Sequence, residues 1–299
     1  MDGGKTEKPK ATLRCPCEGK HCRVRFGYEA PPQGEVRFDL GGPGRYRREL
    51  QECGLCGHFF SVHGMPMDQL YAGQYVDATY GAKGIGEQFR RITALDPSRS
   101  DNVGRVERVH VFATRRLDQA AIPAVPRTVL DVGSGLCVFL HRMKERGWEC
   151  TALDPDPRSA AHARETVGVS AHCGDFFAAR ELGRFHLISF NKVLEHVPDP
   201  VAMLAKSLDY LVPGGLVYVE LPDGEGAAEA GQGREEFFID HWHAFSPASI
   251  ALLSRRAGFD VLLTEKLVEP SGKYTLRAFL TPRRFEGSAS AGPAAAGHS

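Results

Sequence analysis

The sequence has no excess of charge of either sign: Lys+Arg and Asp+Glu both number 37, so the formal net charge is zero. Proteins whose main partner is nucleic acid draw much of their affinity from neutralising phosphates and carry a basic excess. A nucleic-acid partner is therefore disfavoured, and Arg23, Arg25, Arg45, Arg47 and Arg48 read as scattered solvated arginines rather than a patch. The chain also lacks any run of about 18 apolar residues, the length a membrane helix needs. Behind the charges of MDGGKTEKPK there is no apolar stretch of the kind a secretory signal carries, and no internal repeat is visible. The expectation is a cytoplasmic chain with no membrane partner, whose eight cysteines stand as thiols or metal thiolates rather than disulfides. With 42% hydrophobic and 25% charged residues over 299 positions, it has the mix of a soluble protein with a proper core and more than one small domain.

Cysteine use divides the chain. Cys15, Cys17, Cys22, Cys53 and Cys56 crowd the first fifth, whereas Cys137, Cys150 and Cys173 lie in apolar stretches where free cysteine packs as a small hydrophobe. From about Gln69 to Leu117 the pattern is helical. Ser100 and Asp101 are N-cap types, and Val103, Val106, Val109, Ala113 and Leu117 recur at steps of three and four. After the proline-containing connector from Ile122 to Pro126, short β-branched runs alternate with helical stretches, as in βαβ units of a parallel sheet covered on both faces. Asp199-Pro200 and Ser246-Pro247 mark helix starts. FDVLLTEKLVE and KYTLRAFLTP read as two strands pairing as an antiparallel edge. The division expected is a disordered tail over 1–12, a cysteine-rich zinc-ribbon-like segment over 13–65, a helical lid or connector over 66–121, an α/β domain over 122–283, and a Gly/Ala/Ser-rich disordered tail over 284–299.

VLDVGSG runs an apolar strand into a Gly-x-Gly turn and a helix, where the backbone must turn tightly and let a ligand approach. CTALD is a second strand ending on Asp154, about twenty residues on, where an acid can accept hydrogen bonds from both ribose hydroxyls. The third glycine of a dinucleotide fingerprint would fall at Val138 and is missing. Asp131, two residues before the first glycine, would repel a pyrophosphate but suits a ligand carrying an ammonium or sulfonium. The pattern thus points to S-adenosylmethionine.

On these residues the chain resembles the class I methyltransferases. VLDVGSG is similar to their first motif, ALDPDP to their ribose-binding strand end, and CGDF to the loop whose Asp contacts the adenine amino group. FHLISFNKVLEHVPDP and LVPGGLVYVELP are similar to their fourth and fifth strands. The resemblance implies an α/β, Rossmann-like, seven-stranded, mostly parallel sheet with an antiparallel edge. It implies that Asp131, Gly133 and Gly135 hold the methionine end of the cofactor, Asp154 the ribose, and Asp175 with Phe176 the adenine. Asn191 would lie under the sulfonium region, and Tyr75 and Tyr80 would close the pocket as a lid. Cys137 stands where a third motif glycine is often found, and Asn191-Lys192 where many relatives have a small residue or an acid.

DHWHAFSP resembles the H-x-H-x-F-S loop of the small-molecule branch, which faces the acceptor. His241 or His243 could then serve as general base, with a pKa near neutrality. Glu195 and His196 could cap a helix start or belong to the site. In the first segment, Cys53-Gly54-Leu55-Cys56-Gly57 is a knuckle that aims two thiolates at one metal. Cys15 and Cys17 are the expected second pair, with Cys22, His58 and His63 as competitors, giving a closed structural Zn2+ site. A cysteine-rich segment, methyltransferase core and H-x-H-x-F-S loop together resemble sugar methyltransferases of surface-polysaccharide and secondary metabolism, acting on a sugar or nucleotide-sugar. The alternatives are an rRNA methyltransferase with an N-terminal zinc finger, and a non-enzymatic zinc-ribbon adaptor with a degenerate methyltransferase fold.

Overall fold

The computed structural model describes residues 15–35, 46–65, 84–120, 122 and 126–283. The expected tails and the candidate lid residues Tyr75 and Tyr80 lie outside the described residues. Three antiparallel strands come first: β1 (Cys22–Tyr28), β2 (Arg48–Cys53) and β3 (Phe59–His63). Two helices follow, α1 (Gly84–Thr93) and α2 (Asp101–Gln119). Of the five apolar residues spaced along α2, Val106, Val109, Ala113 and Leu117 are buried, while Val103 in the first turn is only half-buried. Ser100 stands at its N-cap but makes no side-chain cap bond. The Asp101 carboxylate instead accepts from Ser271, N at 3.0 Å and Oγ at 2.7 Å.

The alternation then runs β4 (Thr128–Val132), α3 (Val138–Glu145), β5 (Glu149–Asp154), α4 (Pro157–His162), β6 (Ser170–Cys173) and β7 (Phe185–Asn191). It continues through α5 (Pro200–Lys206), β8 (Leu211–Pro222), α6 (Gly224–Ala230), a two-residue strand β9 (His243–Ala244), α7 (Pro247–Arg256), β10 (Phe259–Val268) and β11 (Tyr274–Pro282). Both marked helix starts are capped. Asp199 accepts from the N–H of Ala202, and Ser246 forms a reciprocal capping box with Ser249.

Seven strands form one sheet in the order β10-β11-β8-β7-β4-β5-β6. Every pair from β8 to β6 is parallel, and β11 runs antiparallel to both of its neighbours. Buried clusters cover its two faces, one around Leu130, Phe190 and Leu253, the other around Val109, Leu140 and Phe279. From β4 the chain winds outward to β6, then returns to β7 on the opposite side of β4. That reversal leaves a crevice at the carboxyl ends of β4 and β7, where ligands bind in folds of this kind.

The second sheet has the order β1-β2-β3-β9. Its fourth strand comes from the far end of the chain, with Phe59 opposite Ala244 and Phe60 opposite His243. Its apolar cluster is likewise shared: Tyr28, Leu50 and Phe59 pack with Ala227, Phe237 and Ala244. No helix among the described residues is long and apolar enough to cross a membrane.

Candidate active site

The turn after β4 requires glycine. Gly133 has φ +69° and Gly135 φ +49°, and a Cβ on Gly133 would stand 2.8 Å from Val193 Cγ2. The turn is tied to the end of β5 by backbone and carboxylate alike. Gly133 N–H donates to the Leu153 carbonyl at 2.8 Å, and Gly135 N–H to Asp154 Oδ2 at 2.8 Å. Asp156 N–H donates to Asp154 Oδ1 at 2.9 Å. The expected acid therefore stands directly against the glycine turn.

Asp131 lies beneath it, 2% exposed. Ser189 Oγ and Asn191 Nδ2 each donate to its Oδ1 at 2.7 Å. Burial pushes its carboxyl up to about 7 despite those donors, so a cation placed beside it would draw it into the charged form. A cavity of ≈ 850 Å³ opens here, with Asp131, Gly133, Asp154, Asp175, Asn191 and His196 in its lining. Small-molecule sites span about 300–1,000 Å³. Two lining atoms, Ser134 Oγ and Asn191 Oδ1, are buried without a hydrogen-bond partner among the described residues. Acidic groups and unpartnered acceptors around a glycine cradle fit a ligand that brings an ammonium and hydroxyls, as S-adenosylmethionine does. Asp175, exposed, accepts from Phe177 N–H at 2.9 Å. Phe176 is 2% exposed and stands edge-on to Phe190.

Both departures from the family pattern carry strain. Cys137 and Lys192 each have φ +59°, a left-handed conformation uncommon outside glycine and often found at functional sites. Burial lowers the Lys192 amine from its ordinary value while Glu220 opposes the shift, and Nζ donates to Thr275 Oγ1 at 2.9 Å. Sequence reasoning missed Asn102 and Arg105, which line the cavity from α2. Arg105 is clamped by Glu220, with Nε at 2.7 Å from Oε2, and its Nη1 donates to Asn102 at 2.8 Å. Their one signal was polar side chains flanking the apolar stripe of α2.

The two loop histidines part company. The sequence suggested His243 at the acceptor; the structure places it away from the cavity, 1% exposed, with Nδ1 3.0 Å from His58 Nε2. Its pairing on β9 directs it into the seam between the two sheets, and burial holds it at about 4 and His58 well below the usual histidine range. His241 does not line the cavity either; its Nδ1 is 2.9 Å from the Glu236 carbonyl and its ring 4.8 Å from that of His196, which does. His196, with Val197 and Trp242, lines the cavity. Glu195 beside it is fully buried, with neither carboxylate oxygen hydrogen-bonded among the described residues.

The structure brings Cys15, Cys17, Cys53 and Cys56 together, their four sulfurs within 4.8 Å of one another. Sγ of Cys17 lies 3.2 Å from Cys15 and 3.5 Å from Cys53. All four are free thiols, and burial opposes the Cys53 thiolate while the N–H groups of Cys56 and Leu55 bring it down to about 7. Such a set fits a thiophilic divalent ion held tetrahedrally. Of the competitors, Cys22 stays beside the set, packed against it and paired with Cys53 across β1 and β2, whereas His58 is engaged by His243 and His63 stacks on Trp242 at 5.0 Å.

Comparison with known proteins agrees with this geometry. A family described as "Methyltransferase domain" matches residues 105–264. The ubiquinone biosynthesis O-methyltransferase of Xanthomonas campestris pv. campestris is 32% identical over 139 residues, 44% of this chain and 58% of that protein. Its namesake in Aromatoleum aromaticum is 30% identical over 99 residues, 31% of this chain and 42% of that protein. The chain thus spans 58% and 42% of the length of these two curated relatives. Two solved structures share the fold, each with a TM-score of 0.51. Magnesium protoporphyrin IX methyltransferase (ChlM) from Synechocystis PCC 6803 is 14% identical and covers 72% of this chain and 100% of its own. The 1,6-didemethyltoxoflavin-N1-methyltransferase of Burkholderia thailandensis is 17% identical and covers 79% and 96%. The chain belongs to the class I S-adenosylmethionine-dependent methyltransferases.

Proposed function

We propose that this chain transfers a methyl group from S-adenosylmethionine to a small-molecule acceptor. The observation that carries the reading is the joining of Asp131, the glycine turn and Asp154 around one cavity. The cofactor supplies an activated methyl on a sulfonium; the chain's own tasks are alignment, exclusion of water and removal of the acceptor's proton. Asp131 and Asn191 are assigned to the methionine end, Asp154 to the ribose, Asp175 and Phe176 to the adenine. Tyr75 and Tyr80 remain candidates for a lid. Of the loop histidines, His241 is assigned to the acceptor side with His196, and His243 to holding the loop. Cys15, Cys17, Cys53 and Cys56 are assigned to a structural Zn2+, since four protein thiolates leave no coordination position open.

A sugar or nucleotide-sugar acceptor is the finer reading. It rests on the pairing of a cysteine-bearing segment with the H-x-H-x-F-S loop, now seen to share a sheet through β9. Calorimetric titration with S-adenosylhomocysteine tests the first reading: binding that weakens about tenfold to a hundredfold in Asp131→Ala is expected, and a silent titration of the intact chain refutes it. Methylation of a panel of nucleotide-sugars, followed by mass spectrometry, tests the second.

A further inference from the structure

Glu195, His196 and His241 form a cluster that neither the glycine turn nor the cysteine group explains. One carboxylate oxygen and one ring nitrogen from each histidine lie within 4.8 Å of one another. Three features prepare them to hold a cation. The Glu195 carboxyl is fully buried and both its oxygens lack a hydrogen-bond partner among the described residues, a costly state unless something positive compensates it. Each histidine then has its Nδ1 2.9 Å from a backbone carbonyl, His196 on Asp240 and His241 on Glu236. A carbonyl only accepts, so in the neutral ring Nδ1 carries the proton and Nε2 keeps its lone pair. This is how the outer partners of metal-ligating histidines set the tautomer and the ring orientation. The Asp240 carboxylate, 3.9 Å from His196 Nδ1, adds a further outer charge. Lastly, His196 is part of the cavity wall, on the side the methyltransferase reading assigns to the acceptor.

We propose that Glu195, His196 and His241 bind a divalent first-row transition ion that ligates the acceptor. The donor set of two imidazoles and one carboxylate is that of catalytic zinc and non-haem iron sites, which keep positions open for exogenous ligands. An ion at about 2.0–2.2 Å from each ligand would draw the three atoms somewhat closer than they stand now. The proposal deepens the methyltransferase reading and rests on it for the chemistry, because the open positions would take oxygens of the acceptor and lower the pKa of the one to be methylated. That oxygen's proton passes to water. Its electron pair then forms the O–CH3 bond as the S–CH3 bond breaks, with the bonding electrons remaining on sulfur. The site thereby selects acceptors that offer an ionisable oxygen, with a neighbouring oxygen as second ligand.

The experiment first strips weakly held metal with a mild chelator until one zinc per chain remains, the number the four thiolates hold, and then titrates the full chain with Co2+, read by its visible absorption and by calorimetry. Because Co2+ binds more weakly than Zn2+ to a given site, a thiolate-held zinc stays in place and added Co2+ reports the second site. One Co2+ per chain is expected, with nitrogen–oxygen rather than thiolate bands. Glu195→Gln and His241→Asn should each raise its dissociation constant about 100-fold or more. S-adenosylhomocysteine titration of the same samples shows that each variant is folded. Failure of the intact chain to bind Co2+ while it binds S-adenosylhomocysteine overturns the metal site and leaves the methyltransferase reading standing. Stoichiometric Co2+ that both variants lose, in a chain that ignores S-adenosylhomocysteine, upholds the metal site and sinks the reading beneath it.

Discussion

The two sheets differ in where their buried polar groups find partners. The seven-stranded sheet shares a buried ionic network with the helix packed on it: Glu220 on β8 is fully buried between Arg105 of α2 and Arg277 of β11, and Arg277 continues to Glu269 at 2.7 Å. Burial works against the Glu220 charge, yet Arg105, Lys192 and Arg277 hold its carboxyl at about 2. The four-stranded sheet has a buried pair of its own, since Arg48 on β2, expected to be solvated, is 1% exposed and meets Glu35 at 3.0 Å, but it closes on borrowed parts. Its last strand is β9, its apolar cluster takes Phe237 and Ala244, and its buried His58 is paired with His243. In the proposed assignment the first sheet carries the cofactor end of the site, and the second reaches the acceptor end, because β9 lies between His241 and Ser246 along the chain.

Four outcomes would sharpen or break this contrast. The largest effect is expected from Arg105→Ala, which removes one of the two guanidinium groups paired with the buried Glu220 carboxylate. Losing one partner of a buried ion pair costs about 3–5 kcal/mol, and thermal unfolding should show the whole α/β domain melting earlier; an unchanged melt would mean the large sheet does not depend on its ionic clamp. Asp131→Ala comes next. It removes a charge-assisted contact worth about 1.5–3 kcal/mol, so S-adenosylhomocysteine affinity should fall by about tenfold to a hundredfold with the fold intact. Cys53→Ser should act locally. Hydrogen exchange should quicken in β1, β2, β3 and the 241–246 loop, the main melt should drop by about 2–4 °C, and S-adenosylhomocysteine should bind as before. A loss of cofactor affinity in Cys53→Ser would erase the distinction between the two regions.

The smallest effects follow pH, and they run in opposite directions. Asp131 titrates at about 7 in the fold against 3.8 in the open chain. Its contribution to stability is therefore present below 3.8 and is lost as pH rises through about 7, while cofactor affinity grows over the same range as the carboxylate forms. Asp131→Asn should flatten both dependences. His243 titrates at about 4 in the fold against 6.5 in the open chain. Its contribution is present above 6.5 and is lost as pH falls through about 4, so acid should loosen the small sheet first. Exchange rates in β3 across that range, compared between the intact chain and His243→Gln, check the point.

Much of this was legible because the signals are local. The strand, glycine turn and Asp154 follow within one βαβ unit, and the helical spacing of α2 names the four residues it buries. The cysteines announced themselves by type, although 36 residues separate Cys17 from Cys53. What escaped depends on long-range pairing. His58 and His243 stand 185 residues apart and nothing near either one marks it as half of a buried pair. A strand of two residues such as β9 has no periodicity to read. Arg105 meets Glu220 across 115 residues, and Glu195 beside His196 could be read equally as a helix cap, because local pattern does not report burial.

The way β9 completes the small sheet bears on how such chains could be recombined. A graft of the cysteine-bearing segment onto another catalytic scaffold would have to bring residues 241–246 along, since the seam between donor and host runs through that hexapeptide as well as through the covalent junction. Chimeras cut at a single point would leave the transplanted strands with an open edge and the host with a loop that has lost its anchor.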